Sequence, residues 1–317
     1  MSALLPGLFV TGGSGFVGRS VLRHLDPGAF GAVRILGRRD FDLPRSLGDD
    51  PSVERVKGTL EDPFSYSSQM PPECSVLHLA ARTGRARRKD HLRDTLEATE
   101  RLLEAAYAVN CRHFVYVSSI AVRYDERAGD HHAEAKARAE EVVRRSGLPC
   151  TIVRPTVVLG HGASNWEPLR KMATARVVLL PGDGTKRVQP IWVDDLARTL
   201  LGVLLYPPEG CRTVDLGGPE IVSWDELVER IYRASGGNGN GPRVVHLPLA
   251  PLIGGLRLAE AVLPALPPVT AGQFASFAND GITPDLCGGS ELMGLEEMIR
   301  RLLQKDHGVE QALPEVG

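Results

Sequence analysis

The stretch Gly7–Leu25 reads GLFVTGGSGFVGRSVLRHL, and its three parts decide the fold. A short apolar strand comes first, then a glycine-rich turn. A segment follows whose Phe16, Val17, Val21, Leu22 and Leu25 recur at helical spacing and are expected to point inward. Gly12, Gly15 and Gly18 form GxxGxxG, while Gly13, Gly15 and Gly18 also fit GxGxxG. One glycine makes the tight turn, one lets the backbone approach a pyrophosphate, and Gly18 lets the helix pack close to the strand. The helix N-terminus then presents free N–H groups to phosphates. The strand–turn–helix is therefore expected to bind a dinucleotide through Thr11, Gly12, Gly13, Ser14, Gly15, Phe16, Val17 and Gly18.

Residues 32–42, AVRILGRRDFD, predict a second strand ending about 20 residues after Gly18, where dinucleotide-binding folds read the ribose. An acidic side chain there would bond the 2′-hydroxyl of NAD. This chain offers Gly37, Arg38 and Arg39, and guanidinium groups suit a 2′-phosphate, so NADP(H) is the preferred cofactor. In the alternative, Arg38 and Arg39 are surface charges, Asp40 or Asp42 takes the ribose, and NAD(H) binds.

The rest of the first half alternates strand and helix. VERVKGTLED and SVLHLAAR read as strands three and four, HLRDTLEATERLLEAAYAV as a helix striped by Leu92, Leu96, Leu102, Leu103 and Ala106. RHFVYVSS is strand five, a helix from Ala133 follows, and CTIVRPTVVLG is strand six. Alternating βα units with apolar strands predict an α/β fold with a Rossmann-type, doubly wound parallel sheet.

Composition narrows the class. The chain has 317 residues, 43% apolar and 24% charged, which is ordinary for a globular protein with a sizeable core. A net charge of −2 gives no global attraction to nucleic acid or anionic membrane. Cys74, Cys111, Cys150, Cys211 and Cys287 form no CxxC pair, so reduced thiols in a cytoplasmic setting are expected, with no disulfide frame and no metal site. The N-terminus reads as a first strand and not a signal peptide, and no run of about 18 apolar residues predicts a transmembrane helix.

TGGSGFVG at 11–18, GTLED at 58–62, HLAA at 78–81, TERLLEAA at 99–106, FVYVSS at 114–119, Lys136 and RPTVVLG at 154–160 together resemble the short-chain dehydrogenase/reductase superfamily, in its extended and atypical branch of epimerase/dehydratase-like proteins. PGDGTKRVQPIWVDDLA at 181–197 and VDLGGPEIVSWDEL at 214–227 extend the likeness. GDGTKRVQPIWVDDLA and LEEMIRRLL look most like the group holding the NADPH-binding accessory subunit of respiratory complex I and its bacterial relatives. The resemblance implies cofactor contacts from Thr59, Leu60, Leu79, Ala80, Ala81, Ser118, Lys136, Pro155, Val157 and Val158, besides the glycine turn and Arg38 and Arg39. It also implies interleaved domains: a dinucleotide-binding part at 1–160 with a return segment about 186–216, and a smaller cleft domain at 161–185 and 217–317.

The departures fall at the chemistry. In active members a tyrosine four residues before the lysine moves the substrate proton, the lysine lowers that tyrosine's pKa and holds the ribose, and a serine after strand five polarises the carbonyl. Here Lys136 is present, Ser119 or Ser118 takes the serine's place, and His132 stands where the tyrosine belongs, on one helix face with Lys136. An ammonium nearby disfavours an imidazolium, so His132 is expected neutral: a poor acid but a workable base. The motif then reads as degenerate, with weak or no tyrosine-type hydride transfer; the alternative is an active oxidoreductase or epimerase/dehydratase using His132 or another residue. His131 and Tyr124 are lesser candidates. Thr59 replaces a common acidic residue, which weakens an adenine contact, and Asp94 or Thr95 replaces an asparagine.

Further expectations concern partners. A dinucleotide and a small-molecule substrate are expected, with no nucleic acid. The family's dimers use the fourth and fifth helices, so the chain is a monomer or a homodimer, with Leu103, Tyr107 and Val142 available. The apolar, proline-rich 247–268 reads as a helix closing the substrate cleft or as a face for a protein partner or membrane surface. GRARRKDHLR at 84–93 is a solvated basic loop and helix start, or a holder for an anionic group.

Overall fold

The computed structural model describes residues 5–125, 129–237, 241–262, 271–286 and 292–309. The chain divides into two compact units. The first comprises residues 1–123, 129–155 and 194–216, and the second 124–128, 156–193 and 217–317.

The first unit is built on a seven-stranded, wholly parallel sheet. Its strands are β1 (Leu8–Thr11), β2 (Val33–Gly37), β3 (Val53–Lys57), β4 (Ser75–His78), β5 (His113–Val117), β6 (Cys150–Pro155) and, after an excursion, β11 (Cys211–Leu216). Their order is β11-β6-β5-β4-β1-β2-β3. The chain runs outward from β1 through β2 and β3, then returns to begin again at β4. The order switches between β1 and β4, and sheets of this kind hold ligands at the carboxyl ends of the strands at such a switch point. Strands β1, β4 and β5 are buried throughout because helices cover both faces, which explains their unbroken apolar runs.

The helices of this unit are α1 (Phe16–His24), single turns α2 (Arg45–Gly48) and α3 (Arg88–His91), α4 (Ala98–Ala108), α5 (His131–Arg145) and α7 (Val193–Leu204). In α1, Val21 and Leu22 are buried, with Leu25 just beyond; Phe16 and Val17 are only half-buried, since they lie on the open first turn. The predicted long helix 91–109 is interrupted: Leu92–Glu97 is π-helical between α3 and α4. Asp194 of α7 accepts a hydrogen bond from the Ser20 hydroxyl and pairs with Arg23 at 3.2 Å, which fastens α7 to α1. Leu103 is buried in the core, so it is not available as a dimer contact; Tyr107 is exposed and Val142 half-buried.

One cysteine expectation is corrected. Cys150 and Cys211 form a disulfide, where reduced thiols were expected. They begin adjacent parallel strands and are direct register partners with Cα atoms 4.4 Å apart, a proximity that their separation of 61 residues conceals. Cys74 and Cys111 are free and buried; Cys287 lies outside the described residues.

The second unit holds three two-stranded pairings: β7 (Val158–Leu159) with β10 (Ile191–Trp192), β8 (Val177–Pro181) with β13 (Arg243–Leu247), both parallel, and β9 (Arg187–Val188) with β12 (Val222–Ser223), antiparallel. Helices α6 (Trp166–Ala173), α8 (Trp224–Ala234), α9 (Leu249–Val262), α10 (Ala275–Ala278) and α11 (Leu295–Val309) complete it. Trp224 stacks on Phe277 with ring centroids 4.3 Å apart and donates its indole N–H to Ser276 O. From Leu249 to Ala259 no side chain of α9 is buried, and residues 263–268 of the apolar stretch lie outside the described residues. Among the described residues no helix is long and apolar enough to cross a membrane.

Candidate functional site

The glycine turn assigns a different job to each glycine. Gly12 has φ +75°, and a Cβ there would stand 2.6 Å from Ala80 N, so it needs glycine both for its conformation and for the approach of β4's extension. A Cβ on Gly18 would lie 2.2 Å from Gly12 O and 2.7 Å from Gly13 Cα, which fixes α1 hard against the turn. A Cβ on Gly13 would press Ile35 at 2.8 Å. Gly15 is different. It is exposed, with φ −73°, and its Cβ would meet only Gly12 O at 3.1 Å. The space beside it is therefore open, and no side chain caps the N-terminus of α1. An anionic pyrophosphate fits that arrangement: open backbone N–H groups at a positive helix end, with nothing but hydrogen on Gly15. Ser14 is exposed; its carbonyl accepts from Arg19 at 3.0 Å.

A chain of hydrogen bonds runs from this turn across the sheet edge. Thr11 Oγ1 lies 2.6 Å from His78 Nδ1, and His78 Nε2 lies 3.0 Å from Thr99 Oγ1. Thr99 donates its hydroxyl to Thr95 O at 2.6 Å, so it must accept from His78 Nε2–H; His78 Nδ1 is then bare and accepts from Thr11. Burial, followed by the charge of Lys136, pushes His78 down to about 3, which agrees with a neutral ring. The chain continues: Thr95 Oγ1 accepts from the Arg82 backbone N–H at 3.1 Å, and Arg82 O lies 2.9 Å from His132 Nδ1. The π-helical turn Leu92–Glu97 carries Thr95 at this junction; Asp94 or Thr95 was expected in the asparagine's place.

Helix α5 presents the predicted acid–base residues. Asp130 caps it, accepting from the N–H groups of His132 and Ala133 at 3.0 Å each. Lys136 is buried and donates from Nζ to Val117 O at 2.5 Å, with Nζ 4.7 Å from the Tyr116 ring centroid. Burial brings it down to about 7, with Glu140 opposing. Glu140, also buried, is held by Arg154 and Arg144. His132 is half-buried; burial first, then the Lys136 charge, holds it below the ordinary histidine range against the Arg82 carbonyl and Asp130. His91 stands edge-on to it with centroids 6.0 Å apart and is also lowered by burial.

Of the two serines, Ser118 is buried and its N–H donates to Val153 O, while Ser119 accepts the Ala121 N–H at 3.2 Å and so caps the turn Ile120–Arg123. His131 lies 3.8 Å from Glu134, and Tyr124 belongs to the second unit. Leu79, Ala80 and Ala81 line the edge half-buried, with Leu79 N bonded to Thr11 O. Leu60 packs against the core, and Thr59 closes its own turn with Ser65 and Glu61. Pro155 ends β6, whereas Val157 and Val158 belong to the second unit. Arg38 and Arg39 are exposed beyond β2, and among the described residues no ion pair or hydrogen bond engages their side chains. In the basic stretch Arg88 pairs with Glu134 and Arg93 with Asp94, which ties part of it to its own neighbours. Sequence reasoning missed the roles of His78, Thr99, His91, Asp130 and the Arg82 carbonyl. A lone histidine inside the apolar run SVLHLAA was the available signal for the first.

A family model described as NAD(P)H-binding matches residues 12–205, well over half of the chain. The chain belongs to the NAD(P)H-binding family. Its cofactor class is thus a nicotinamide dinucleotide. Among relatives of this NAD(P)H-binding protein, a ceramide reductase of Caulobacter vibrioides is 29% identical over 246 residues, covering 75% of this chain and 73% of that protein. NADH dehydrogenase (ubiquinone) 1 alpha subcomplex subunit 9, mitochondrial, of Dictyostelium discoideum is 24% identical over 230 residues, covering 70% of this chain and 62% of the relative. The chain thus spans less than two thirds of that subunit. The structure of UDP-glucuronic acid 4-epimerase from Bacillus cereus in complex with NAD shares the fold at a TM-score of 0.63 and 18% identity, covering 94% of this chain and 99% of that one. These likenesses agree with the extended, atypical branch of the short-chain dehydrogenase/reductase superfamily.

Proposed function

We propose that this chain is an NADP(H)-binding protein with a degenerate catalytic motif, His132 and Lys136 in place of tyrosine and lysine, and with weak or no tyrosine-type hydride transfer. The observation that carries the reading is the state of the imidazole. His132 directs Nδ1 at Arg82 O and is held neutral by burial and by Lys136, so it has no acidic proton to give a developing alkoxide. When bound, the nicotinamide would supply a hydride donor or acceptor. The chain's own part is to bind and orient: the Gly12–Gly18 turn holds the pyrophosphate, Arg38 and Arg39 meet the 2′-phosphate, and Lys136 sits buried in the ribose-holding place. Kinship does not choose between binding and turnover, since one named relative is a reductase and another a subunit of NADH dehydrogenase. The geometry at His132 favours binding.

Steady-state turnover tests this reading. Wild type with NADPH and a panel of ketones is expected to be slow or inactive. His132→Tyr would place a phenol four residues before Lys136, and an acid–base catalyst of this kind is worth about 10²–10⁴-fold in rate. Brisk ketone reduction by the wild type that His132→Ala abolishes would overturn it.

A further inference from the structure

We infer that His132 Nε2 is an open hydrogen-bond and proton acceptor that takes a ligand hydroxyl, so that the site recognises alcohols in preference to carbonyls. The inference rests on the proposed dinucleotide site at the same sheet edge, and it deepens that reading by naming the ligand class. Its carrier is the tautomer. A carbonyl oxygen only accepts, so the 2.9 Å contact between Nδ1 and Arg82 O requires the hydrogen on Nδ1. A neutral ring then leaves Nε2 bare. Among the described residues nothing donates to Nε2, and it is not among the buried polar atoms lacking a partner.

The Arg82 carbonyl is itself held in place. The Arg82 N–H donates to Thr95 Oγ1, the Thr95 carbonyl receives Thr99, and Thr99 receives His78, whose other nitrogen receives Thr11 at the end of β1. The Thr95 carbonyl, which can only accept, fixes the sense of the Thr99, His78 and Thr11 bonds, and the Arg82 backbone can only donate at N–H and accept at O. Reversing the His132 tautomer would turn a bare nitrogen toward Arg82 O, lone pair against lone pair. The groups that face His132 also keep it neutral: Lys136 and His91 disfavour a second proton, against Asp130 and the Arg82 carbonyl. A tyrosine in this place would both give and receive a proton, whereas this imidazole receives only.

The chemistry follows from that asymmetry. A ligand carbonyl offers Nε2 nothing to accept. A secondary alcohol offers its O–H, which Nε2 would accept, holding the carbinol at the sheet edge where an oxidised nicotinamide, when bound, would supply a hydride acceptor. Oxidised dinucleotide and alcohol are therefore the matched pair.

The test is spectroscopic and needs no turnover. The protein is labelled with [15N]histidine, and long-range proton–nitrogen correlations distinguish the two neutral tautomers and the imidazolium; the His132 signals are identified by their loss in His132→Asn. The expected result at neutral pH is a protonated Nδ1 and a bare Nε2. The opposite tautomer, or an imidazolium, would overturn the inference. Trifluoroethanol, a hydroxyl probe, should move the Nε2 resonance upfield, while acetone should leave it still; no movement with the alcohol, or equal movement with both, also overturns it. Access is checked by diethyl pyrocarbonate, which acylates bare imidazole nitrogen. His132 should be modified, and a His132 that stays intact while the exposed His246 reacts would sink the open-acceptor claim. Thermal shift with NADPH, run separately, reports whether the underlying dinucleotide reading holds, so the two failures are told apart.

Discussion

The glycine turn between β1 and α1 and the first turns of α5 stand on the same sheet edge, yet they are specified in opposite ways. The turn is specified by backbone: Gly12 has φ +75°, and the positions of Gly13 and Gly18 leave no room for a methyl group. Side-chain type at these points is dictated locally, so a short motif suffices to declare the structure. The start of α5 is specified by remote side chains and one carbonyl. Asp130 sets where the helix begins, but the state of His132 is set by Arg82, fifty residues away, and that of Lys136 by burial against Val117 and Tyr116. A backbone-coded region conserves geometry and hence ligand class. A side-chain-coded region keeps its position on the helix while its chemistry changes with one residue.

The largest effects should separate the glycines within the turn. Gly18→Ala puts a methyl 2.2 Å from Gly12 O, against backbone that cannot give way cheaply, so it is expected to destabilise by about 3 kcal/mol or more, the upper end for overpacking. Gly15→Val has room in the fold and should leave the urea midpoint nearly unchanged, yet reduce dinucleotide binding about 100-fold, about 2.8 kcal/mol. Urea unfolding and calorimetry on both variants check this. Equal loss of stability in the two would break the claim that Gly15 serves the ligand and Gly18 the fold.

Next come Arg38 and Arg39, whose guanidinium groups are exposed and unengaged among the described residues. Each charge-assisted hydrogen bond to a 2′-phosphate is worth about 1.5–3 kcal/mol. Arg38→Ala and Arg39→Ala should therefore weaken NADPH binding by about 10-fold or more while NADH binding is unmoved. Thermal-shift titration with both cofactors reads this through ligand linkage. Equal stabilisation of the wild type by NADH and NADPH would return the ribose to Asp40 or Asp42.

What the sequence made legible follows the same division. The parallel sheet, the strand–turn–helix and the HxxxK face were readable because each is encoded within a few residues by glycine placement or periodicity. The Cys150–Cys211 disulfide was not, because it depends on which strands become neighbours: β11 lies beside β6 with these two residues in register. Leu103 belongs to the apolar stripe read from the sequence and packs into the core with Leu102 and Ala106; only its use as a dimer contact, which came from the family resemblance, fails. The chain from Thr11 through His78, Thr99, Thr95 and Arg82 to His132 joins five segments, and no local pattern encodes such a path.

Lys136 gives a pH signature of the side-chain-coded region. Its folded pKa is about 7 against an ordinary 10.5, because burial disfavours the ammonium. Between these values the unfolded chain binds the proton and the folded chain does not, so stability rises with pH across that window, by about 1.4 kcal/mol per pH unit from this group. Below about pH 7 both states are protonated and the slope from Lys136 vanishes. Lys136→Met should remove that slope. The check is the difference in unfolding free energy between wild type and variant from pH 7 to 10. A difference that stays flat would mean Lys136 keeps an ordinary pKa despite its burial.

The smallest effect is the most diagnostic of how α5 is placed. Asp130 accepts from the N–H groups of both His132 and Ala133 at 3.0 Å, so it fixes the first turn that carries the imidazole. Removing an N-cap side chain costs about 1 kcal/mol, and a serine restores most of it. Asp130→Ala should therefore lower stability by about that amount, and Asp130→Ser should recover it. Asp130 is also one of the groups favouring a proton on His132, so both substitutions should lower the His132 pKa further while only alanine frays the helix. Nitrogen NMR of His132 then separates the roles. If the capped first turn is needed to hold the ring against Arg82 O, the Nδ1–H tautomer persists in the serine variant and averages with its alternative in the alanine variant. If the tautomer survives a frayed first turn unchanged, the Arg82 carbonyl holds the ring without help from the helix end, and the side-chain-coded region is more rigid than its cap.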